Sequence, residues 1–268
     1  MNFKQKLKNI YYKSWIISDL IKGNLPGNTY YANEAQSCRD HINSLIKYGS
    51  INNIFNVLSD FSKLQVEYSE NTQPINPEYI DIVNLAYLAE FFNSSYIVEY
   101  GSGSSTSAFF SLQEKFKDKI SFESIESSKY WYQVSYKALK ELYPELVDKC
   151  ITQADAKVTS YNNKNTYIHS KKPKASKADF IYVDGPPLID ACSSLDVLYY
   201  DLIKDQTVIA IDGRYPNSNL IYKNLKEKSK DWQKFVFRYP SNDTLIISKK
   251  NIIYSNFIDH FKNFVDLY

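Results

Sequence analysis

Three sets of residues in this 268-residue chain have types and spacing that can do chemistry. The first is the run Glu99-Tyr100-Gly101-Ser102-Gly103-Ser104-Ser105-Thr106, where an apolar segment gives way to two glycines and then to hydroxyls. Glycine at 101 and 103 lets the chain turn tightly and brings its backbone close to a ligand. The hydroxyls can cap a following helix, whose free N–H groups attract an anionic group. The second set is the acids that close later apolar runs: Glu126 after ISFESI, Asp155 after CITQA, Asp184 after DFIYV and Asp212 after TVIAI. Asp184 is the first candidate for a general base or a substrate-positioning group; fixing the turn before Gly185-Pro186-Pro187 is its other reading. The third set is a pair of basic side chains. Arg214 can grip a carboxylate or phosphate as a bidentate fork, or pair with a nearby acid. His169 lies in the long insertion KVTSYNNKNTYIHSKKPKASKAD, and long excursions at this face are often functional. It reads either as a catalytic or substrate-contacting residue or as a solvated loop histidine.

The elements that must hold these residues follow from periodicity. Short apolar runs at 96–100, 120–126, 150–155, 179–184, 207–212, 235–240 and 244–248 are each bounded by turn residues. Helical patterns separate the early ones, at 105–118 and 128–147, and another precedes them at 77–92. Strands alternating with helices predict a parallel α/β sheet. The close spacing of the last two runs predicts an antiparallel hairpin through Ser241-Asn242-Asp243. Upstream, helical patterns at 3–22, 32–47 and 51–64 form a predicted N-terminal helical cap or lid over 1–72. The main domain spans 73–250, and 251–268 reads as a C-terminal helix packed on it.

Composition removes several classes. With 7 glycines and 9 prolines, collagen and low-complexity chains are excluded. Hydrophobic residues at 44% and charged residues at 23% suit a globular core. The 32 basic and 30 acidic side chains leave a net charge of +2, which offers no footprint for a polyanion. Lys171, Lys172, Lys174 and Lys177 in the insertion suit a solvated loop. Cys38, Cys150 and Cys192 show no metal spacing, and a reduced, cytoplasmic compartment is expected. No apolar stretch is long enough to span a membrane. His41 and His260, on helical patterns, read as structural.

Two ligand classes use a turn like that after residue 100. A dinucleotide fingerprint wants a third glycine where this chain has Thr106. The alternative is E-x-G-x-G, with Glu99 two residues before Gly101. Together with Glu126, Gln153-Ala154-Asp155-Ala156, Asp179-Phe-Ile-Tyr-Val-Asp-Gly-Pro-Pro187 and Asp212-Gly213-Arg214, this chain resembles the class I S-adenosylmethionine-dependent methyltransferases of the small-molecule type over about residues 77–250. The resemblance implies a Rossmann-like sheet of about seven strands, the last one antiparallel, flanked by helices. It implies S-adenosyl-L-methionine as cofactor, bound by Glu99, Gly101, Ser102, Gly103, Ser105, Thr106, Glu126, Ser127, Asp155, Ala156 and Asp184. Glu99 would approach the cofactor's amino group, Glu126 the ribose hydroxyls and Asp155 the adenine amine. Asp184 and His169 stand as catalytic candidates, and Asp212 and Arg214 as substrate-binding ones. Asp184 and Asp212 resemble the metal carboxylates of catechol-type enzymes, but Gly213 replaces the usual Asn and no metal is expected. The expected reaction is methylation, at oxygen rather than nitrogen, of a small polar acceptor such as a sugar, nucleotide-sugar or other acidic metabolite. No nucleic-acid or membrane partner is expected, and the N-terminal helices offer a possible homodimer surface. NAD-dependent oxidoreduction, a non-catalytic partner subunit that keeps the cofactor fold, and RNA methylation are the competing readings.

Overall fold

The strands of this chain form where apolar residues crowd both faces of the backbone. In the computed structural model, which describes residues 30–32, 85–86, 88–116, 119–161, 164–185, 194–212, 215–238, 243–249 and 265–267, the central strands are buried on both sides. Such near-continuous apolar runs are typical of parallel sheets covered on both faces. The strands are β1 (Tyr30–Ala32), β2 (Tyr96–Tyr100), β3 (Ser121–Glu126), β4 (Ile151–Gln153), β5 (Ala156–Tyr161), β6 (Lys164–His169), β7 (Phe180–Val183), β8 (Val208–Asp212), β9 (Trp232–Arg238), β10 (Asp243–Lys249) and β11 (Val265–Leu267). The helices are α1 (Ser104–Lys115), α2 (Lys129–Leu142), α3 (Pro144–Cys150), α4 (Asp196–Tyr199) and α5 (Tyr215–Lys228). Residues 85–86 and 88–91, within the predicted 77–92 segment, are also helical.

One sheet runs in the order β11-β1-β9-β10-β8-β7-β2-β3-β4. The pairs β2–β3, β3–β4, β2–β7 and β7–β8 are parallel, and β10 is antiparallel to both β8 and β9. The seven predicted strands are therefore contiguous, with the last one reversed. After β2 the chain builds outward first through β3 and β4, then returns to the other side for β7 and β8. That reversal makes a topological switch point at β2, and open α/β sheets bind ligands in the crevice beyond the carboxyl ends of the strands at such a point.

Alternation along β2 divides the core. Ile97 packs with Phe109, Phe110, Phe122 and Leu139 on one face of the sheet. Val98 and Tyr100 pack with Ile125, Ile181, Val183, Ile209 and Ile211 on the other. Ser128 caps α2, its Oγ accepting the Trp131 N–H at 3.3 Å. The predicted single helix 128–147 is two helices, α2 and α3, because Pro144 cannot continue the first but suits the opening position of the second.

Three further features depart from the sequence reading. The insertion after β4 contains an antiparallel hairpin, β5–β6, pairing Ala156 with His169 and Tyr161 with Lys164. Val265–Leu267, assigned to the C-terminal helix, form a strand antiparallel to β1. Tyr30 and Tyr31 in turn pair in parallel with Phe237 and Arg238, extending the sheet beyond β9. A three-residue strand is too short to show a period of its own, and these two exist through their pairing. The other residues of the 1–72 cap and of 251–268 lie outside the described residues, as do His41, His260 and Arg214.

Candidate functional site

The turn after β2 is built on two backbones in contact. Gly101 has φ +99°, and a Cβ there would lie 2.4 Å from the Gly185 nitrogen. Only glycine adopts that backbone without strain, and only glycine leaves room for Gly185. The Asp184 and Gly185 N–H groups both donate to the Tyr100 carbonyl, at 2.8 and 2.7 Å, which locks the turn after β7 against the end of β2. Gly103 differs, since a Cβ there would meet nothing within 4 Å. Its side faces open space, as a backbone that receives a ligand must. Its N–H donates to Thr106 Oγ1 at 2.9 Å as α1 begins.

Beneath this turn Glu99 is completely buried. Its Oε1 accepts the Ser105 hydroxyl at 2.6 Å, and its Oε2 accepts Thr106 and Ser124 at 2.7 and 2.6 Å. Burial drives the carboxyl pKa from 4.5 to about 8 against these three hydroxyls, and Asp184 adds a smaller push upward. Glu99, Ser105 and Thr106 are thus brought together, but their side chains face one another and tie the turn to α1 and β3. The expected contact between Glu99 and a ligand amino group is not on the surface of the crevice. Thr106, at the place of a dinucleotide motif's third glycine, supplies one of the three hydroxyls.

Glu126 ends β3 and faces the same turn. Its Oε2 accepts the Ser102 N–H at 2.6 Å and its Oε1 accepts the Ser128 N–H at 2.5 Å. Burial raises its pKa, opposed chiefly by these two N–H groups. A carboxylate offers about four acceptor directions, so with the Ser102 hydroxyl also present at 3.3 Å its partners among the described residues leave one on Oε1 for a ligand hydroxyl. Ser127 follows half-buried, Asp155 is exposed and Ala156 opens β5. Asp184 and Asp212, both half-buried, stand at the ends of adjacent parallel strands, each one residue beyond the Val183–Ile211 pair.

His169 is no loop histidine in solvent: its side chain is 0% exposed. Asp196 accepts the His169 backbone N–H with Oδ1 and meets the ring Nδ1 with Oδ2, both at 2.8 Å. Ser194 donates its hydroxyl to the same Oδ2, and Tyr200 donates to the His169 carbonyl. Of the lysines expected in a solvated loop, Lys171 and Lys172 are exposed, while Lys174 and Lys177 are tied at their ends. Lys174 donates its N–H to Glu123 at 3.0 Å and its ammonium to the Lys149 carbonyl at 2.7 Å, while Lys177 pairs with Asp201 at 2.8 Å.

Sequence reasoning did not single out Ser124, Asp196, Ser194 or the side chain of Tyr100. Ser124 faces Glu99 across the β2–β3 pairing, a partner that alternation along two neighbouring parallel strands does expose once they are aligned. The hairpin that delivers His169 has a local signal as well, two alternating runs around Asn162-Asn163.

No protein-family model and no curated protein matches the chain. Solved structures are similar to it. The O-methyltransferase TomG from Streptomyces achromogenes, in complex with SAM, is 12% identical, with 72% of this chain and 89% of that chain covered and a TM-score of 0.49. The O-methyltransferase from Bacillus cereus in complex with SAH is 13% identical over 72% of this chain and 89% of that one, with a TM-score of 0.47. The SAH-bound methyltransferase PaMTH1 from Podospora anserina is 10% identical over 72% and 88%, with a TM-score of 0.46.

Proposed function

We propose that this chain is an S-adenosyl-L-methionine-dependent methyltransferase that methylates an oxygen of a small polar acceptor: a sugar, a nucleotide-sugar or another acidic metabolite. The observation that carries this reading is the joint made by Gly101, Gly103 and Glu126. An open glycine backbone adjoins a carboxylate that already orders the Ser102 and Ser128 N–H groups and keeps one acceptor direction free. The free direction of that carboxylate suits one ribose hydroxyl of a nucleoside, and a zwitterionic amino acid suits a glycine turn at a helix start.

The residues present fit the cofactor. Gly101, Ser102 and Gly103 would lie against its methionine part, with Ser105 and Thr106 opening the helix beside it. Glu126 and Ser127 would hold the ribose, and Asp155 and Ala156 would border the base. Glu99 would act from below, holding the turn through its three hydroxyls and so setting where the glycine backbone sits. When bound, the cofactor supplies a sulfonium-activated methyl group. The protein must hold the accepting oxygen about 3–3.5 Å from that methyl, in line with the bond that breaks. Asp184 and Asp212, on adjacent strand ends, would orient the acceptor's hydroxyls, with Asp184 able to take the proton released. Arg214, two residues past β8, would grip an acceptor's carboxylate or phosphate.

The reading is tested by incubating the protein with labelled S-adenosyl-L-methionine and a panel of sugars, nucleotide-sugars and small organic acids, followed by mass spectrometry. The expected result is one acceptor that gains a single methyl group, with loss of the product in Asp184→Asn. Methylation found only on nitrogen would overturn the oxygen assignment, and transfer to none of the panel would overturn the acceptor class.

A further inference from the structure

Two buried polar atoms near the carboxyl end of β2 have no hydrogen-bond partner among the described residues: His169 Nε2 and Tyr100 Oη. Their rings lie 5.4 Å apart, and both residues are almost wholly buried, at 1% and 0% exposure. A buried polar group left unpaired is destabilising, so two side by side call for a role. The other two such atoms are the hydroxyls of Ser94, before the amino end of β2, and Ser135, inside α2. Neither stands at the crevice.

The chemistry of the pair is set by its surroundings. In the neutral tautomer whose Nδ1–H donates to Asp196 Oδ2, Nε2 is a lone-pair acceptor. Burial, with Asp196 and Tyr200 adding to it, holds the Tyr100 phenol above its ordinary pKa, so its hydroxyl keeps a proton to donate. The location is equally defined. Tyr100 is the last residue of β2, and its carbonyl anchors the Asp184–Gly185 turn. His169 pairs with Ala156 across the hairpin, and the next N–H, of Ser170, donates to the Asp155 carbonyl at 2.7 Å. The Ala154 N–H, one residue before Asp155, donates to the Glu126 carbonyl at 2.9 Å. The pair therefore stands where Glu126, Asp155 and the glycine turn converge.

We propose that His169 and Tyr100 read the purine of the cofactor, His169 Nε2 accepting from the exocyclic amine and the Tyr100 hydroxyl donating to the neighbouring ring nitrogen. An adjacent acceptor and donor complement the amine and ring nitrogen of adenine. Hypoxanthine, with a carbonyl and an N–H in those places, reverses the pattern. Asp196 is then a positioning residue that fixes the tautomer. The proposal rests on the adenosylmethionine reading above.

Calorimetric titration of the full chain with S-adenosylhomocysteine and with S-inosylhomocysteine tests it. The variants are His169→Asn, whose amide keeps a donor toward Asp196 while deleting Nε2, and Tyr100→Phe. Wild type should favour the adenosyl compound by about 10–100-fold, as expected for a buried polar site with mismatched groups. Each variant should bring that ratio to within about threefold. In wild type the ¹⁵N resonance of His169 Nε2 should shift when the adenosyl compound is added, a change that a merely structural histidine would not show. Adenosyl binding with the wild-type ratio kept in both variants, or with Nε2 unmoved, overturns the proposal and leaves the cofactor reading standing. Binding of neither compound to wild type overturns both. If His169→Asn does not fold, Tyr100→Phe and the wild-type resonance decide.

Discussion

Replacing Glu99 by glutamine removes a proton-linked cost that the fold imposes on itself. The carboxyl titrates near pH 4.5 when exposed and near pH 8 in the folded chain. Below pH 4.5 it is neutral in both states and its contribution to stability is fully present. Between 4.5 and 8 the unfolded chain releases the proton and the folded chain keeps it, so stability falls as pH rises, by about 1.4 kcal/mol per pH unit. Integrated from pH 5 to pH 7 the loss is about 2–3 kcal/mol, and it levels off above the folded pKa. Glutamine keeps an oxygen for the hydroxyls of Ser105, Thr106 and Ser124 but does not titrate. Glu123 and Glu126 also have raised pKa values, so the informative quantity is the difference between wild type and Glu99→Gln. Urea unfolding of both proteins at pH 5, 6, 7 and 8 measures it. Wild type should lose about 2–3 kcal/mol relative to the variant between pH 5 and 7. Parallel profiles, or a wild type that gains on the variant as pH rises, would mean that the three hydroxyls outweigh burial and hold an ionised carboxylate.

The glycine turn makes a paired prediction. Gly101→Ala forces a Cβ against the Gly185 backbone at a positive φ and should cost about 1–3 kcal/mol or more by thermal unfolding. Gly103→Ala, facing open space, should change stability by less than about 1 kcal/mol yet weaken S-adenosylhomocysteine binding in calorimetry. Asp196→Ala strips a buried acceptor from the His169 N–H, the His169 ring and the Ser194 hydroxyl, and should cost about 3 kcal/mol or more in urea unfolding. Glu126→Ala should abolish measurable adenosylmethionine binding, while a circular-dichroism melt still reports a folded chain.

The sheet was legible because its seven central strands carry their own signals, apolar runs of which six are closed by an acid, glycine or proline and the seventh follows Ser241-Asn242-Asp243. The strand order was not legible in the same way, since it depends on which distant strands pair. What stayed hidden depends on partners far apart in the chain. Glu99 looks like a ligand contact from its place before Gly101, and only the fold brings Ser124 beneath it, 25 residues on. His169 has no charged neighbour in sequence that predicts Asp196, 27 residues away. Its hairpin sits in a polar insertion that reads as a loop, and of the lysines that follow it only Lys174 and Lys177 have ammonium groups tied to the fold, at Lys149 and Asp201. The strands at 30–32 and 265–267 join the two ends of the chain, and pairing at that separation leaves no local trace.

The central claim is that the crevice beyond β2 and β3 binds the nucleoside and amino-acid parts of one sulfonium cofactor. Calorimetric titration of the wild-type chain with S-adenosyl-L-methionine and S-adenosylhomocysteine, beside a fluorescence titration with NADH, tests it most directly. Both sulfur compounds should bind with dissociation constants in the micromolar range, on the order of −8 kcal/mol, and NADH should give no response. Absence of heat with both sulfur compounds, or saturable binding of NADH in their place, would contradict it.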